Sequence, residues 1–187
     1  MSIYKNVFIG IPLPKKFEVD YFELINSLKS ISPNLSYPKK ENPHLTILFL
    51  GDQEEKHFKN ISTQIEKYLI LLKNVKIKLS GIGSFGSNSP KVCFIKAIKN
   101  HQVGKFREDL CDELKTILPK ELKGFIPHLT LARVNSYKTS KELAKNMAEF
   151  SEIVSKIYWE FEIEEIYLYG RTSSKDCYQK ILFKYYV

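Results

Sequence analysis

The stretches NPHLTILFLG, residues 42–51, and IPHLTLARV, residues 126–134, share the run Pro-His-Leu-Thr followed by an aliphatic residue. Their histidines, His44 and His128, lie 84 residues apart and are two of the four in the 187-residue chain. Chance alone is not expected to repeat such a run in a chain of this length. The repetition therefore predicts two equivalent strands with related tasks.

The segments around the two copies predict the same order of elements: strand, helix, loop, His-x-Thr strand, helix, strand. Phe8 precedes His44 by 36 residues, and Phe94 precedes His128 by 34. Short links and polar alternation favour antiparallel or mixed sheets over a doubly wound parallel sheet. We expect an α+β fold that is bilobal and duplicated about a pseudo-twofold axis, with two mostly antiparallel sheets around a central cleft and helices on the outside. Residues 1–187 are expected to form one domain of two interleaved lobes, each contributing one His-x-Thr strand.

The element boundaries follow from hydrophobic periodicity and from turn residues. Helices are predicted over residues 15–31, 52–72, 101–118 and 140–154, and Asp52 is the expected N-cap of the second. Strands are predicted over residues 6–13, 44–51, 75–85, 91–98, 128–134, 158–170 and 178–187.

The composition permits a polyanionic partner without requiring one. The net charge is +8 and the pI is about 9.2, but many basic proteins bind no nucleic acid. Lysine greatly outnumbers arginine, so an arginine beside a candidate site is the more informative residue. The arginines are Arg107, Arg133 and Arg171.

No apolar run approaches the roughly 20 residues that a membrane helix needs, and the first residues resemble a strand rather than a signal peptide. The cysteines, Cys93, Cys111 and Cys177, are odd in number and far apart, which favours neither a disulfide framework nor a metal cluster. We expect a cytoplasmic protein without a membrane partner. The absence of G-x-G-x-x-G and P-loop motifs disfavours dinucleotide or NTP binding of those types.

Side chains alternate across a strand, so His44 and Thr46 are predicted to share one face of theirs, as His128 and Thr130 share one face of the other. The same alternation places Phe49 on the opposite, apolar face with Leu45 and Ile47. If a pseudo-twofold axis relates the strands, the two His-Thr faces meet across a cleft.

Two facing imidazoles suit in-line displacement at phosphorus, which needs a base for the nucleophile and an acid for the leaving group. The hydroxyls of Thr46 and Thr130 would donate hydrogen bonds to the non-bridging phosphate oxygens. A nearby cation, such as Arg133, would add charge-assisted contacts. This chemistry requires no metal and no cofactor.

The sequence resembles the two-histidine (2H) phosphoesterases, which are defined by paired H-x-[ST]-x motifs, and among them the LigT-like RNA 2′,3′-cyclic phosphodiesterases. Both motifs are complete, as HLTI at 44–47 and HLTL at 128–131. The resemblance extends over most of the chain through FIGIPLP, NPHLTILFLG, GIGSFGSNSPKVCFIKAI and FIPHLTLARV.

The resemblance implies metal-independent opening of a terminal 2′,3′-cyclic phosphate to a 2′-phosphate. His44 would be the general acid that protonates the departing 3′ oxygen, and His128 the general base on the attacking water. Thr46 and Thr130 would hold the phosphate. Arg133 matches a basic residue that often follows the second motif, although strict alternation places it on the face opposite His128.

The chain departs from the family pattern in two places. LYGRTSS puts Arg171 where family members often carry a serine, and Phe94 stands where an indole is common. Phe94 either stacks on a base or packs in the core, and the core is the favoured interpretation. His57 and His101 fall at predicted helices, are expected to face solvent and receive no role.

The expected partner is RNA with a 2′,3′-cyclic phosphate end, or a small cyclic nucleotide, bound by a monomer. Other substrates stay open, namely a 2′-5′ linkage, ADP-ribose 1″,2″-cyclic phosphate, or the ligation of RNA halves. A module that binds an RNA end without turnover is the main non-enzymatic alternative, and the two complete motifs oppose it. A metal site at the histidines lacks carboxylate or cysteine ligands at fixed spacing.

Overall fold

The architecture comes from a computed structural model that describes residues 2–39, 42–86, 89–119, 124–172 and 179–187. The helices are α1 (Lys15–Ile31), α2 (Phe58–Tyr68), α3 (His101–Leu114) and α4 (Tyr137–Ser155), with 3₁₀ segments at Glu55–His57 and Leu69–Leu72 on either side of α2. The strands are β1 (Ile3–Pro12), β2 (His44–Glu54), β3 (Lys76–Phe85), β4 (Val92–Ala97), β5 (His128–Arg133), β6 (Tyr158–Glu162), β7 (Glu165–Arg171) and β8 (Gln179–Tyr186).

The strands form one antiparallel sheet in the order β6-β3-β4-β5-β2-β1-β7-β8. Its two half-sheets, β6-β3-β4-β5 and β2-β1-β7-β8, meet where Leu45 of β2 pairs with Leu129 of β5. The α+β class and the antiparallel strands are confirmed. The described strands form one sheet instead of the two predicted, because this leucine pair joins the halves. That the chain is a single domain stays a prediction.

The half-sheets are interleaved along the chain. Strand β3 follows α2 in sequence but pairs with β4 and β6, whereas β7 returns to pair with β1. The single strand predicted over residues 158–170 is therefore wrong. Its alternation is continuous, but the chain crosses from one half-sheet to the other at 163–164, so β6 and β7 have different partners.

The helices cover one face of the sheet, as predicted. Their buried residues, including Tyr21 and Leu28 of α1 and Phe106 and Leu110 of α3, share a core with Leu45 and Leu129. A separate small cluster of Phe8, Tyr167 and Tyr169 lies outside that core. The face that carries the histidines is therefore the one without the main core.

Helix α1 has the predicted bounds, but α2 begins six residues later than expected. Strand β2 continues to Glu54 because β1 pairs with it as far as Ile3 opposite Glu54. Asp52 is consequently not an N-cap, and this prediction was wrong. Its carboxylate instead accepts hydrogen bonds from Lys5 Nζ at 2.8 Å and from the Asn6 backbone N–H at 2.9 Å.

The remaining helices begin at recognisable caps. The Asn100 side chain accepts from two backbone N–H groups at the start of α3, and Ser136 and Thr139 form a capping box that starts α4 three residues before the predicted position. Helix α3 ends at Leu114, four residues before the predicted end. Among the described residues, no helix is both long and apolar enough to span a bilayer.

Candidate active site

The pairing of Leu45 with Leu129 fixes how the two motifs face each other. In an antiparallel pair, continuing this register by one residue places His44 across from Thr130 and His128 across from Thr46. The two histidines are diagonal neighbours, and residues so placed lie about 7–8 Å apart in a regular ladder. All four side chains point away from the buried leucines and define a small square, as the duplication predicted.

A β-bulge follows each motif at the same position. On β2 the register passes from Ile9–Leu48 to Gly10–Thr46, and on β5 it passes from Cys93–Ala132 to Phe94–Thr130. Each His-x-Thr strand thus contains one extra residue just after its threonine, so two successive residues are buried on the core side. The buried pairs are Ile47 with Leu48, and Leu131 with Ala132.

The bulges reverse the alternation that follows them, which corrects two predictions. Arg133, predicted on the face opposite His128, lies on the same face as Thr130, and its Nη2 donates to Thr130 Oγ1 at 3.4 Å. Phe49, predicted on the apolar face, is exposed on the side of His44 and Thr46. Because the bulges correspond, Phe49 and Arg133 occupy equivalent places in the two halves.

The backbone of Arg133 is fixed on both sides. It pairs with Val92 on β4, and its N–H and C=O exchange hydrogen bonds of 2.8 Å with Ser36, which lies in the loop after α1. The guanidinium is therefore carried by a rigid strand end. Because Thr130 Oγ1 accepts from it, the hydroxyl hydrogen of Thr130 remains available for a ligand.

The imidazole of each motif histidine is anchored through its Nδ1. His44 Nδ1 lies 2.6 Å from the carbonyl oxygen of Asn42, and His128 Nδ1 lies 2.7 Å from that of Ile126. A carbonyl can only accept, so each Nδ1 carries the hydrogen and each neutral ring has its lone pair on Nε2. Both rings are set in the tautomer that an acid or a base working through Nε2 requires.

Aromatic rings support the His44 imidazole. The ring centroids of Phe8 and Tyr169 lie 4.6 and 4.9 Å from that of His44. Gly10, opposite Thr46, makes room for them, since a Cβ there would lie 3.2–3.3 Å from the Tyr169 and Phe8 rings and 3.0 Å from the Leu45 carbonyl oxygen. The orientation of His44 is thus held by packing as well as by its hydrogen bond.

Rings also support His128. Its centroid lies 4.8 Å from that of Phe94 and 4.9 Å from that of Phe85. A Cβ on Gly83 would meet the Phe94 ring at 2.5 Å, so only glycine fits beneath that ring. Phe94 is buried, as the favoured interpretation predicted. It packs against the His128 ring and so helps to hold that ring in place.

Burial lowers the pKa of both imidazoles. Desolvation is the largest cause and lowers the pKa of His44 to about 4, with the Arg133 charge acting in the same direction and the bond to Asn42 opposing it. The pKa of His128 is lowered by the same causes, with the bond to Ile126 opposing. Without a ligand, both rings are therefore neutral at pH 7.

Sequence reasoning missed Tyr21 and Lys96. The Tyr21 hydroxyl, on α1, donates to the Thr130 carbonyl at 2.6 Å and so satisfies a backbone group beside the bulge. Lys96 on β4 is directly opposite His128 and exposed. Tyr21 carried no signal, because a tyrosine at a helical core position looks like any other core residue.

Other residues considered from the sequence lie elsewhere. Arg171, at the end of β7, pairs in register with Lys5, and with the Asn6 amide turned so that its oxygen faces the guanidinium, Arg171 Nε donates to it at 3.3 Å. His101 is exposed at the start of α3. His57 is only half-buried and bonds Gln53 Oε1 at 2.9 Å.

The cysteines are apart from the site in the described residues. Cys93 is buried on β4 and Cys111 is half-buried on α3. Cys177, which lies between the last two predicted strands, is outside the described residues. Over that same part of the chain, no three His, Cys, Asp or Glu side chains form a group that could hold a metal ion.

Comparison with known proteins identifies the family. The model of the 2′-5′ RNA ligase superfamily matches residues 15–175. The chain therefore belongs to this superfamily, the two-histidine phosphoesterases that the paired motifs indicated.

Its relatives carry a narrower name. The RNA 2′,3′-cyclic phosphodiesterase of Methanocaldococcus jannaschii is 31% identical over 169 residues, which cover 89% of this chain and 91% of that protein. The protein of the same name from Thermotoga maritima is 26% identical over 131 residues, covering 70% of each chain. Escherichia coli LigT in complex with 3′-AMP has a TM-score of 0.68 at 18% identity, with 98% of each chain covered, so the two share a fold.

Proposed function

We propose that this protein is an enzyme that hydrolyses RNA-terminal 2′,3′-cyclic phosphates to 2′-phosphates by metal-independent acid–base catalysis. The observation that carries the proposal is the pair of imidazoles on one face of the sheet, each anchored at Nδ1 to a backbone carbonyl two residues earlier. The relatives from Methanocaldococcus jannaschii and Thermotoga maritima, named RNA 2′,3′-cyclic phosphodiesterases, support the substrate class.

In the proposed reaction, His128 Nε2 accepts a proton from water as the water oxygen attacks phosphorus. The P–O3′ bond breaks in line, and His44 Nε2–H donates its proton to the departing O3′. The products are a 2′-phosphate and a free 3′ hydroxyl. His128 ends protonated and His44 neutral, and proton exchange with solvent restores the starting state.

The two threonines and Arg133 are proposed to hold the phosphate. Thr46 and Thr130 lie across from the two histidines, so their hydroxyls face the oxygens that do not react. Arg133 touches Thr130 Oγ1, which places a fixed positive charge beside the same oxygens. These donors would stabilise the added charge of the pentacoordinate state, and in this proposal no cofactor or metal is needed.

His44 is proposed to take up its proton from solvent when the substrate binds. Its pKa near 4 in the empty site leaves the ring neutral at pH 7, but a bound phosphodiester carries one negative charge, which favours the imidazolium. The anion therefore raises the pKa of the acid at the moment when the acid is needed. The assignment of acid to His44 and base to His128 follows the family resemblance.

The superfamily's description favours one further activity, the 2′-5′ ligation of RNA. In that reaction a 5′ hydroxyl would replace water as the nucleophile while the P–O3′ bond still breaks. The same two proton transfers would serve. Action on small cyclic nucleotides, a monomeric state and a cytoplasmic location remain predictions.

The test is turnover of an RNA oligonucleotide ending in a 2′,3′-cyclic phosphate, in excess EDTA, with product identification. His44→Ala and His128→Ala should each lose about 10²–10⁴-fold in rate while remaining folded. His101→Ala is the matched control, because His101 is exposed at the start of α3. Loss of turnover in EDTA, or full activity of either site variant, would refute the mechanism, and tight binding without hydrolysis would favour a binding module.

A further inference from the structure

We propose that Lys96 binds a second phosphate of the substrate, the one on the 5′ side of the terminal nucleotide. The enzyme would then favour an RNA end, which carries this phosphate, over a nucleoside cyclic phosphate, which lacks it. The inference rests on the proposed function, because the two motifs and Arg133 account for the cyclic phosphate and for nothing beyond it.

Lys96 lies beside the site, one strand away from its centre. It is directly opposite His128 in the ladder of β4 and β5, so the two side chains share one face of the sheet. The four motif side chains meet at the boundary of β2 and β5, and β4 is one strand spacing, about 4.8 Å, further out. Lys96 is therefore placed for a group that adjoins the cyclic phosphate.

Arg133 occupies the other end of β5. His128 is the first residue of that strand and Arg133 the last. Arg133 pairs with Val92 of β4, whereas Lys96 pairs with His128, and the Arg133 guanidinium donates to Thr130 Oγ1. Arg133 thus already serves the phosphate between the histidines, and a second cation at the opposite end of the strand suits a second phosphate.

The aliphatic stem of Lys96 is held against the sheet. A Cβ on Gly83 of β3 would lie 3.1 Å from Lys96 Cε and 2.5 Å from the Phe94 ring, so the stem and the ring lie side by side over bare backbone. Lys96 nevertheless remains exposed to solvent. Because the stem is already placed, less conformational freedom is lost when the ammonium group binds an anion.

The ammonium group of Lys96 is available to a ligand. In the part of the chain that the structure describes, the Lys96 side chain forms no ion pair and no hydrogen bond. Lys76 and Lys78 on the neighbouring strand β3, in contrast, both pair with Glu160, at 3.6 and 3.2 Å. An unpaired cation next to the reaction centre attracts a polyanion, and each phosphate that it neutralises releases counterions.

The test uses three substrates with the same reacting group: adenosine 2′,3′-cyclic phosphate, its 5′-phosphorylated form, and a dinucleotide of two adenosines that ends in a 2′,3′-cyclic phosphate. Lys96→Gln should lower kcat/KM about 3- to 10-fold for the two that carry a second phosphate, mainly through KM, and should leave the first within about twofold of wild type. For the dinucleotide, the slope of log kcat/KM against log salt concentration should become shallower by about 0.7, the value of one phosphate contact on a single strand.

Two variants serve as controls. Lys96→Arg keeps the charge and should keep the preference for a second phosphate. Lys145→Gln removes the same charge from an exposed position of α4, which packs on the other face of the sheet, and should leave the three rates and the salt slope unchanged.

Equal losses on all three substrates in Lys96→Gln would overturn the inference, since Lys96 would then act on the cyclic phosphate itself. No loss on any of them would overturn it as well, and in both cases the proposed function stands. If Lys96→Gln folds poorly, as judged by circular dichroism, Lys96→Met provides the same comparison with the stem over Gly83 retained. A wild-type enzyme that opens none of the three substrates, nor a cyclic-ended RNA, would instead refute the proposed function, and the role of Lys96 with it.

Discussion

The pKa values of the two imidazoles predict an acidic optimum for kcat/KM. The proposed reaction needs one ring protonated and the other neutral, so kcat/KM plotted against pH should be bell-shaped, with its two flanks at the two pKa values of the free enzyme. His44 has a pKa of about 4, and that of His128 lies below 6.5. The optimum, midway between them, therefore lies below about pH 5.3.

The size of the expected effect follows from the decrease of kcat/KM on the alkaline side of the optimum. At pH 8 the solution is at least 1.5 pH units above the higher pKa, so kcat/KM should be at least about 30-fold below its maximum, because each unit costs a factor of ten. The substrate phosphodiester does not titrate in this range, so the limb reports the enzyme. The assay is initial rate against pH at substrate concentrations well below KM, in buffers of constant ionic strength.

Replacing Arg133 tests what lowers the pKa values of the two imidazoles. Its charge lowers the pKa of both rings, so Arg133→Gln should raise both pKa values and move the optimum toward higher pH, in addition to weakening substrate binding. Lys105→Gln is the charge-matched control, since Lys105 lies on α3 and pairs with Asp109. An optimum at or above pH 7 in the wild type, or an unshifted profile in Arg133→Gln, would refute this account of the site's electrostatics.

Three further predictions concern stability and packing. The pKa of His44 is lower in the folded state than its ordinary value near 6.5, so this group's contribution to stability is present above pH 6.5 and is lost as pH falls toward 4. Urea denaturation should therefore show the free energy of unfolding falling by up to about 3 kcal/mol over that interval. In His44→Asn this dependence of stability on pH should be reduced. Tyr21→Phe leaves the Thr130 carbonyl without the hydroxyl that donates to it at 2.6 Å, which should lower the free energy of unfolding by about 1–3 kcal/mol. The expected fall in Tm is roughly 2–12 °C. Tyr158→Phe, at the exposed edge of the sheet, is the control and should change Tm by no more than about a degree or two. Gly83→Ala brings a Cβ within 2.5 Å of the Phe94 ring that supports His128, so it should lower kcat at least about tenfold. Gly104→Ala is the control, because a Cβ at this position of α3 meets open space. It should stabilise the protein by up to about 1 kcal/mol and leave kcat unchanged.

Much of this architecture could be predicted from residue patterns, because the patterns were local. The His-x-Thr strands, the helix over 15–31 and the partnership of His44 with Thr46 depend on periodicity and repetition, which a single chain displays. The grouping of His44, Thr46, His128 and Thr130 on one face of the sheet then follows from the duplication. The resemblance to the two-histidine phosphoesterases added the family, which the family model then confirmed.

The errors arose where a distant partner decides the structure. Alternation failed after each motif because a bulge is a property of strand pairing, and nothing in ILF or LAR specifies it. Asp52 looked like a cap because acidic residues followed a glycine, yet the pairing of β1 with Glu54 and Gln53 prolongs the strand past it. Tyr21 and Lys96 reach the site only through tertiary packing.

The interleaving of the half-sheets has a consequence for how the chain is made. Strand β1 has β2 as one neighbour soon after synthesis, but its other neighbour is β7, as in the pairing of Gly10 with Tyr167. That edge of β1, next to the ring of His44, stays open until nearly the whole chain has left the ribosome. Such long-range pairing slows folding, and an open strand edge invites aggregation in the interval. We expect a nascent chain that stops before β7 to be unable to order the pocket of His44, even though both histidine motifs have already been synthesised.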